Sequence, residues 1–182
     1  HAPDAHPMTP EQCAELLDQH PDFKVLRRLN PKTQFVPRVP GQAVSRGIVL
    51  DTETTGLSSD NDCIIELGML VFEFNPQTGE VYGIVEVFDQ LEDPGRPIPP
   101  ESTQVHHITD EMVRGQRIDD TQVRRLLQGV SVVIAHNAAF DRPFVEQRWP
   151  EFEEVFWACS LRDIDWSQEG FGSAKLEYLL YT

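Results

Sequence analysis

The sequence predicts an α/β domain on a mixed sheet, a three-strand antiparallel meander plus parallel strands, flanked by helices and preceded by an N-terminal arm. Two observations carry this. Two long apolar-rich runs, "CIIELGMLVFEF" (63–74) and "EVYGIVEVFD" (80–89), flank "NPQTG", where Pro76 fixes φ and Gly79 can take a positive φ. With the strand that starts at Gly47, they make a meander of three. Further on, a helical stretch, the apolar run "VSVVIA" (130–135) and another helical stretch follow one another directly, the order that builds a parallel crossover.

In chain order, "TPEQCAELLDQH" has Thr9 as N-cap, Pro10 at the first helical position and apolar spacing through Cys13, Leu16 and Leu17. A second short helix is expected over Phe23–Leu29. "NPKTQFVPRVPGQ" reads as an extended arm because of its three prolines and its glycine. Strand one runs from Gly47 to about Glu53. "DPGRPIPP" (93–100) reads as a proline-rich loop, "TDEMV" (109–113) as the start of a short helix, and "DDTQVRRLLQG" (119–129) as a longer one. That longer helix opens on acids, buries Val123, Leu126 and Leu127, and stops at Gly129. "VFWACSL" (155–161) is a fifth strand candidate and "SAKLEYLLYT" (173–182) an amphipathic helix. The domain reading is an arm over 1–46 and a catalytic-type domain over 47–182.

Composition narrows the class. The charge is −15, unevenly spread: residues 1–46 carry six Lys/Arg against five Asp/Glu, and residues 47–182 nine against 25. A broad basic face for duplex binding is therefore not expected, whereas an acidic body is compatible with binding divalent cations or gripping a polymer end, and equally with a plain solvated surface. Cys13, Cys63 and Cys159 form no CxxC pair and are odd in number, which argues against a disulfide framework or zinc site and for a reducing, cytoplasmic setting. No stretch is apolar for long enough to span a bilayer, so no membrane partner is expected. The opening "HAPDAHPM" has no initiator Met, which leaves Met8 as a candidate native start.

The chemistry starts at "IVLDTETTGL" (48–57). Ile48, Val49 and Leu50 read as a buried strand, and the strand ends in Asp51 and Glu53. Residues i and i+2 of a strand share a face, so two carboxylates stand side by side and repel unless a cation lies between them. In open α/β sheets sites gather beyond the carboxyl ends of strands, and "VSVVIA" ends beside "HNAAFD", so Asp141 is expected on the same rim. Three converging carboxylates suit Mg²⁺ or Mn²⁺. Gly56 in "TTGL" is expected to let a ligand approach the backbone.

"IVLDTETTGL", "IPPESTQVHHITDEMV" and "VIAHNAAFDRPF", in that order and spacing, resemble the DEDD (DnaQ-like) 3′–5′ exonuclease superfamily, whose members include the proofreading subunit of bacterial replicative polymerase. The resemblance covers about residues 47–182 and looks more like the His (DEDDh) branch. It implies a ribonuclease H-like fold and two-metal hydrolysis of DNA or RNA from the 3′ end, with Asp51, Glu53 and Asp141 as catalytic residues and ligands of two divalent cations, Mg²⁺ or Mn²⁺. It implies that Thr54, Gly56 and Leu57 line the pocket of the terminal nucleotide. His106 matches the histidine of the family's "HGIT" loop, with His107 in place of the glycine. Asn137 is expected to hold the second motif or cap the following helix, and Phe140 to stack on a base or pack against Phe144. Pro143 predicts that the helix bearing Asp141 begins late or is kinked. His136, Glu66 and the three tryptophans are assigned to structure.

The family completes its site with a third motif, a His or Tyr followed by a last Asp. "SAKLEYLLYT" matches the helix before it, so the expectation is a chain truncated ahead of that motif and weakly active or inactive as it stands. Nucleic acid with a 3′ end is the expected partner, along with a polymerase or self-association. The alternative is a non-catalytic nucleic-acid-binding or partner-docking module of exonuclease fold.

Overall fold

The computed structural model describes residues 7–181. The first helix, α1 (Pro10–Asp18), begins as expected: Thr9 caps it, and Thr9 and Gln12 exchange side-chain-to-backbone hydrogen bonds in a capping box. The helix expected over Phe23–Leu29 does not form. Seven residues make a marginal helix without a surface to bury Phe23, Leu26 and Leu29, and all three are exposed. Instead the Leu29 amide donates to the Leu180 carbonyl.

Five strands follow: β1 (Ser45–Thr54), β2 (Ile64–Phe74), β3 (Val81–Leu91), β4 (Val130–Ala135) and β5 (Phe156–Cys159). Their spatial order is β3-β2-β1-β4-β5. The first three form the antiparallel meander, and β4 and β5 add in parallel. The expected turn holds: Gly79 sits at φ +78 and its amide donates to the Asn75 carbonyl. The proline-rich arm is extended, as predicted, and lies along the free edge of β3. Phe35 and Val36 donate to Tyr82 and Val81, and Ile84 donates back to Thr33.

The helices are α2 (Pro100–His106), α3 (Asp110–Val113), α4 (Asp120–Leu127), α5 (Ala138–Arg148) and α6 (Leu176–Leu179), with a 3₁₀ turn at Pro150–Glu154. Sequence reasoning missed α2, whose first residue, Pro100, closed the presumed loop. The helix buries none of its residues and so shows no apolar periodicity, although Pro100 at its first position was a usable signal. The helix expected over 173–182 shrinks to the single turn of α6, and Thr182 lies outside the described residues, as does the opening "HAPDAH".

The main core lies between one face of the sheet and α4 and α5. Ile48, Leu50, Leu67, Met69, Val71 and Val133 of the sheet meet Val123, Leu126 and Leu127 of α4, Phe144 and Val145 of α5, and Trp149 just past its end. Each such buried side chain contributes about 1.5–3 kcal/mol. A smaller cluster of Ile65, Ile98, Ile108 and Val113 seats the α2–α3 segment against the end of the sheet. The three tryptophans do pack: Trp149 is buried, and the indole N–H groups of Trp149, Trp157 and Trp166 donate to Asp120, Phe152 and Ser160 respectively. Among the described residues no helix is long and apolar enough to cross a membrane, and the three cysteines are free.

Candidate active site

β1 brings two acids to the end of the sheet. Asp51 lies opposite Gly68 and Glu53 opposite Glu66, so both acids stand on one face while buried Thr52 faces the core between them. The third acid arrives on α5. Asp141 is 2% exposed, and its Oδ1 accepts hydrogen bonds from the Thr52 amide at 3.0 Å and the Thr52 hydroxyl at 2.8 Å. The helix starts at Ala138 and carries Pro143 inside it, so it does not begin late.

These acids disturb one another. Burial pushes the Glu53 carboxyl up to about 7, and Asp51, Glu66 and Asp141 push the same way. Burial likewise raises Asp141 to about 6 against the pull of the Thr52 hydrogen bonds. Asp51 keeps contact with solvent, yet partial burial raises it, and nearby His136 opposes the rise. Glu66, assigned to structure from the sequence, belongs electrostatically to this group, because burial raises it and both Asp89 and Asp51 add to the effect. The donor chemistry, oxygen only with surplus negative charge, fits a hard divalent cation. The geometry is looser than expected. Among the described residues no three His, Cys, Asp or Glu side chains are gathered closely enough to hold a metal ion. Three carboxylates on one rim therefore replaces three carboxylates converging on a point. Uncompensated carboxylates repel, and Thr52 draws Asp141 to itself.

Beside the rim opens a cleft of about 620 Å³. Glu53, Thr54, Gly56 and Leu57 line one wall, Pro99, Glu101, Ser102, Val105 and His106 the other, and Phe140 also borders it. The structure thus brings together five of the six residues expected at a nucleotide pocket, Thr54, Gly56, Leu57, His106 and Phe140. Asn137 is not among the lining residues. It stands at the N-cap of α5 in the left-handed region (φ 74°, ψ 50°) and makes no capping hydrogen bond, since its backbone is not the extended one from which a side chain reaches the first-turn amides. Phe140 packs on Phe144 at 5.3 Å between ring centroids and also borders the cleft. Leu57 is 87% exposed at the mouth.

Gly56 has a different reason from the one expected. A Cβ there would meet the Asp62 carboxylate at 2.5–2.7 Å, so the space is already filled by the protein. In the other wall, His106 Nδ1 accepts from the Ile108 amide at 3.0 Å, while Nε2 is buried without a hydrogen-bond partner; the Thr54 carbonyl lies near enough only to favour the protonated ring. Burial wins, and the His106 pKa falls below the ordinary histidine value. His107, standing where the family has glycine, adopts φ 64° as the C-cap of α2. His136 is held through Nδ1, 3.0 Å from Ser160 Oγ.

A mixed sheet of this order, with its central strand tipped by acids, defines the ribonuclease H-like class of α/β domains. Within that class the chain belongs to the exonuclease family (RNase_T), which matches residues 48–155. It is 41% identical over 102 residues to a "DNA polymerase III PolC-type" of Clostridium perfringens (strain 13 / Type A), covering 55% of this chain and 7% of that protein. It is 40% identical over 98 residues to a "DNA polymerase III subunit epsilon" of Treponema pallidum (strain Nichols), covering 52% of this chain and 42% of that protein. The chain therefore spans less than half the length of these relatives. Among solved structures, apo "Exonuclease I" superposes with a TM-score of 0.53 at 17% identity, over 74% of this chain and 36% of that one. E. coli Exonuclease I "in complex with a dT13 oligonucleotide" gives a TM-score of 0.53 at 17% identity, over 74% and 35%. At that identity the likeness is one of fold.

Proposed function

We propose that this chain is the nuclease domain of a metal-dependent 3′–5′ exonuclease of the His branch, which hydrolyses phosphodiester bonds of DNA or RNA from the 3′ end and releases nucleoside 5′-monophosphates. The observation that carries the reading is the position of Glu53, which belongs both to the acid rim and to the wall of the cleft. A strand end seated in the cleft thus has its last phosphodiester beside the carboxylates. In this reading Asp51, Glu53 and Asp141 hold two divalent cations, Mg²⁺ or Mn²⁺. Bound there, the cations supply Lewis acidity and an activated water. They also supply the positive potential at phosphate that an acidic body lacks.

The remaining roles fall to the chain itself. Leu57 and Phe140 offer apolar faces to the terminal bases, and base–aromatic stacking is worth about 1–3 kcal/mol and tolerates any base. Thr54 and His106 stand in the facing walls and set the shape of the pocket for the terminal nucleotide. Thr52 fixes the position of Asp141. The polymerase relatives support docking to a replicative DNA polymerase as the setting, in the cytoplasm. The loose spacing of the carboxylates favours a second reading, a non-catalytic module that binds a strand end without cutting it.

Incubating 5′-labelled single-stranded DNA and RNA with this chain and C-terminally longer forms, in Mg²⁺, Mn²⁺ or EDTA, tests the proposal. Stepwise shortening from the 3′ end, lost in EDTA and in Asp51→Ala, is the expected result. Binding without cleavage in every form and metal would establish the second reading instead.

A further inference from the structure

Outside the acid rim, one polar cluster joins the two walls of the cleft. Thr55 is 1% exposed, and its hydroxyl is fully engaged: it donates to Asp62 Oδ1 at 3.1 Å and accepts from the Cys63 amide at 3.1 Å and from Arg96 Nη2 at 3.2 Å. Asp62 Oδ2 accepts from the Ser58 amide at 3.1 Å, and the carboxylate lies against the open side of Gly56. Arg96 Nη2 also donates to the Asn61 carbonyl at 2.6 Å and lies 3.5 Å from Asp62 Oδ1. These contacts close the loop 55–63 on itself and tie it to the segment that leads into α2. From α2, Ser102 Oγ donates to the Thr55 carbonyl at 2.9 Å. An exposed ion pair alone is worth about 0–1 kcal/mol, but this carboxylate, 21% exposed, also receives two neutral donors.

We infer that Asp62 and Arg96 are positioning residues that fix the separation of the cleft walls, and with it the place at which Leu57 meets a terminal base. An apolar side chain that is 87% exposed stays at the mouth only if its backbone is held there, and Asp62 holds the chain on both sides of Leu57, through the Thr55 hydroxyl two residues before it and the Ser58 amide just after it. Asp62 borders the cleft, but its carboxylate is engaged by the Thr55 hydroxyl and the Ser58 amide, so it acts through the loop, as Arg96 does. The inference rests on the exonuclease reading for its kinetic consequence, but the clamp has a readout of its own.

The test compares Asp62→Ala, Asp62→Asn and Arg96→Ala with the parent chain, by hydrogen exchange and by kinetics on a 5′-labelled oligonucleotide. In Asp62→Ala and Arg96→Ala the amides of 56–61 and of α2 exchange faster together, while those of β1 and β2 are unchanged. KM rises on the order of tenfold with kcat nearly constant, as expected when binding rather than chemistry is disturbed. Asp62→Asn, which keeps one acceptor and the shape, recovers part of the KM. Faster exchange in 56–61 without any response in α2, or a fall in kcat at constant KM, overturns the inference. If the parent chain neither binds nor cuts the strand, the exonuclease reading fails, and the exchange result alone decides the clamp.

Discussion

Asp141 and Thr52 are joined twice: one carboxylate oxygen accepts both the amide and the hydroxyl of the same residue, at 3.0 and 2.8 Å. This double contact is what carries an acid from α5 to the strand end between Asp51 and Glu53. Thr52→Val keeps the shape and removes the hydroxyl donor, leaving a buried carboxylate underserved. The expected loss is about 1–3 kcal/mol of stability in urea denaturation, whereas Thr52→Ser keeps most of it. A Thr52→Val chain as stable as the parent would show that the hydroxyl donor does not matter.

The raised carboxyl of Glu53 should make the stability of the chain depend on pH and, through the proposed rim site, on divalent cations. An acid with a higher pKa folded than unfolded holds more protons in the folded state between the two values, so stability falls as pH rises through that window. For Glu53 the window runs from the ordinary value of 4.5 to about 7. Without divalent cations the chain should melt at a higher temperature at pH 5 than at pH 8. Millimolar Mg²⁺ or Mn²⁺ should raise Tm at pH 8 and do little at pH 5, where protons already occupy the carboxylates. Glu53→Gln should raise the cation-free Tm at pH 8 while abolishing cleavage. A Tm at pH 8 that does not respond to either cation would remove the rim as a metal site.

His107 stores a local cost. It caps α2 at φ 64°, a conformation that costs an ordinary side chain about 1–2 kcal/mol and glycine little. His107→Gly should therefore stabilise the chain by up to about 1 kcal/mol, after allowing for the extra freedom that glycine gains when unfolded. Differential scanning calorimetry of the two chains checks this, and a lower Tm in the variant would mean that the imidazole makes a stabilising contact that outweighs the strain.

How much of this was legible follows from which contacts are local. Asp51 and Glu53 share a face because of a two-residue period, and that can be counted in the sequence. The capping of α1 by Thr9 and the Gly129 stop are equally local. Glu66 was not legible as part of the acid group, because it faces Glu53 only through the β1–β2 register, which a bulge shifts at Glu53/Thr54. Asp62 was hidden for a related reason. Its loop folds back, so the carboxylate fills the space beside Gly56 that the sequence offered to a ligand. The α2 wall went unseen because a helix that buries no residue leaves no apolar pattern. Asp141 was legible on the rim because its strand ends just before it, and the resemblance added its role; its pairing with Thr52, far away along the chain, was not legible.

The last prediction concerns the arm. An open sheet edge invites pairing with other chains, and here residues 33–36 occupy the free edge of β3. The fit depends on Gly83, where a Cβ would meet the Thr33 carbonyl at 2.9 Å and the Gln34 side chain at 2.9 Å. The carbonyl is backbone and cannot swing away, so Gly83→Val should lift the arm from the edge without touching the core between the sheet and α4. The Ile84 amide, which donates to Thr33, is the reporter, and its hydrogen exchange should rise steeply while amides of β1 hold their protection. Protease cleavage between residues 30 and 45 should quicken in parallel. If Ile84 stays protected, the arm has slipped to a new register, and the close approach at Gly83 selects that register instead of holding the arm in place.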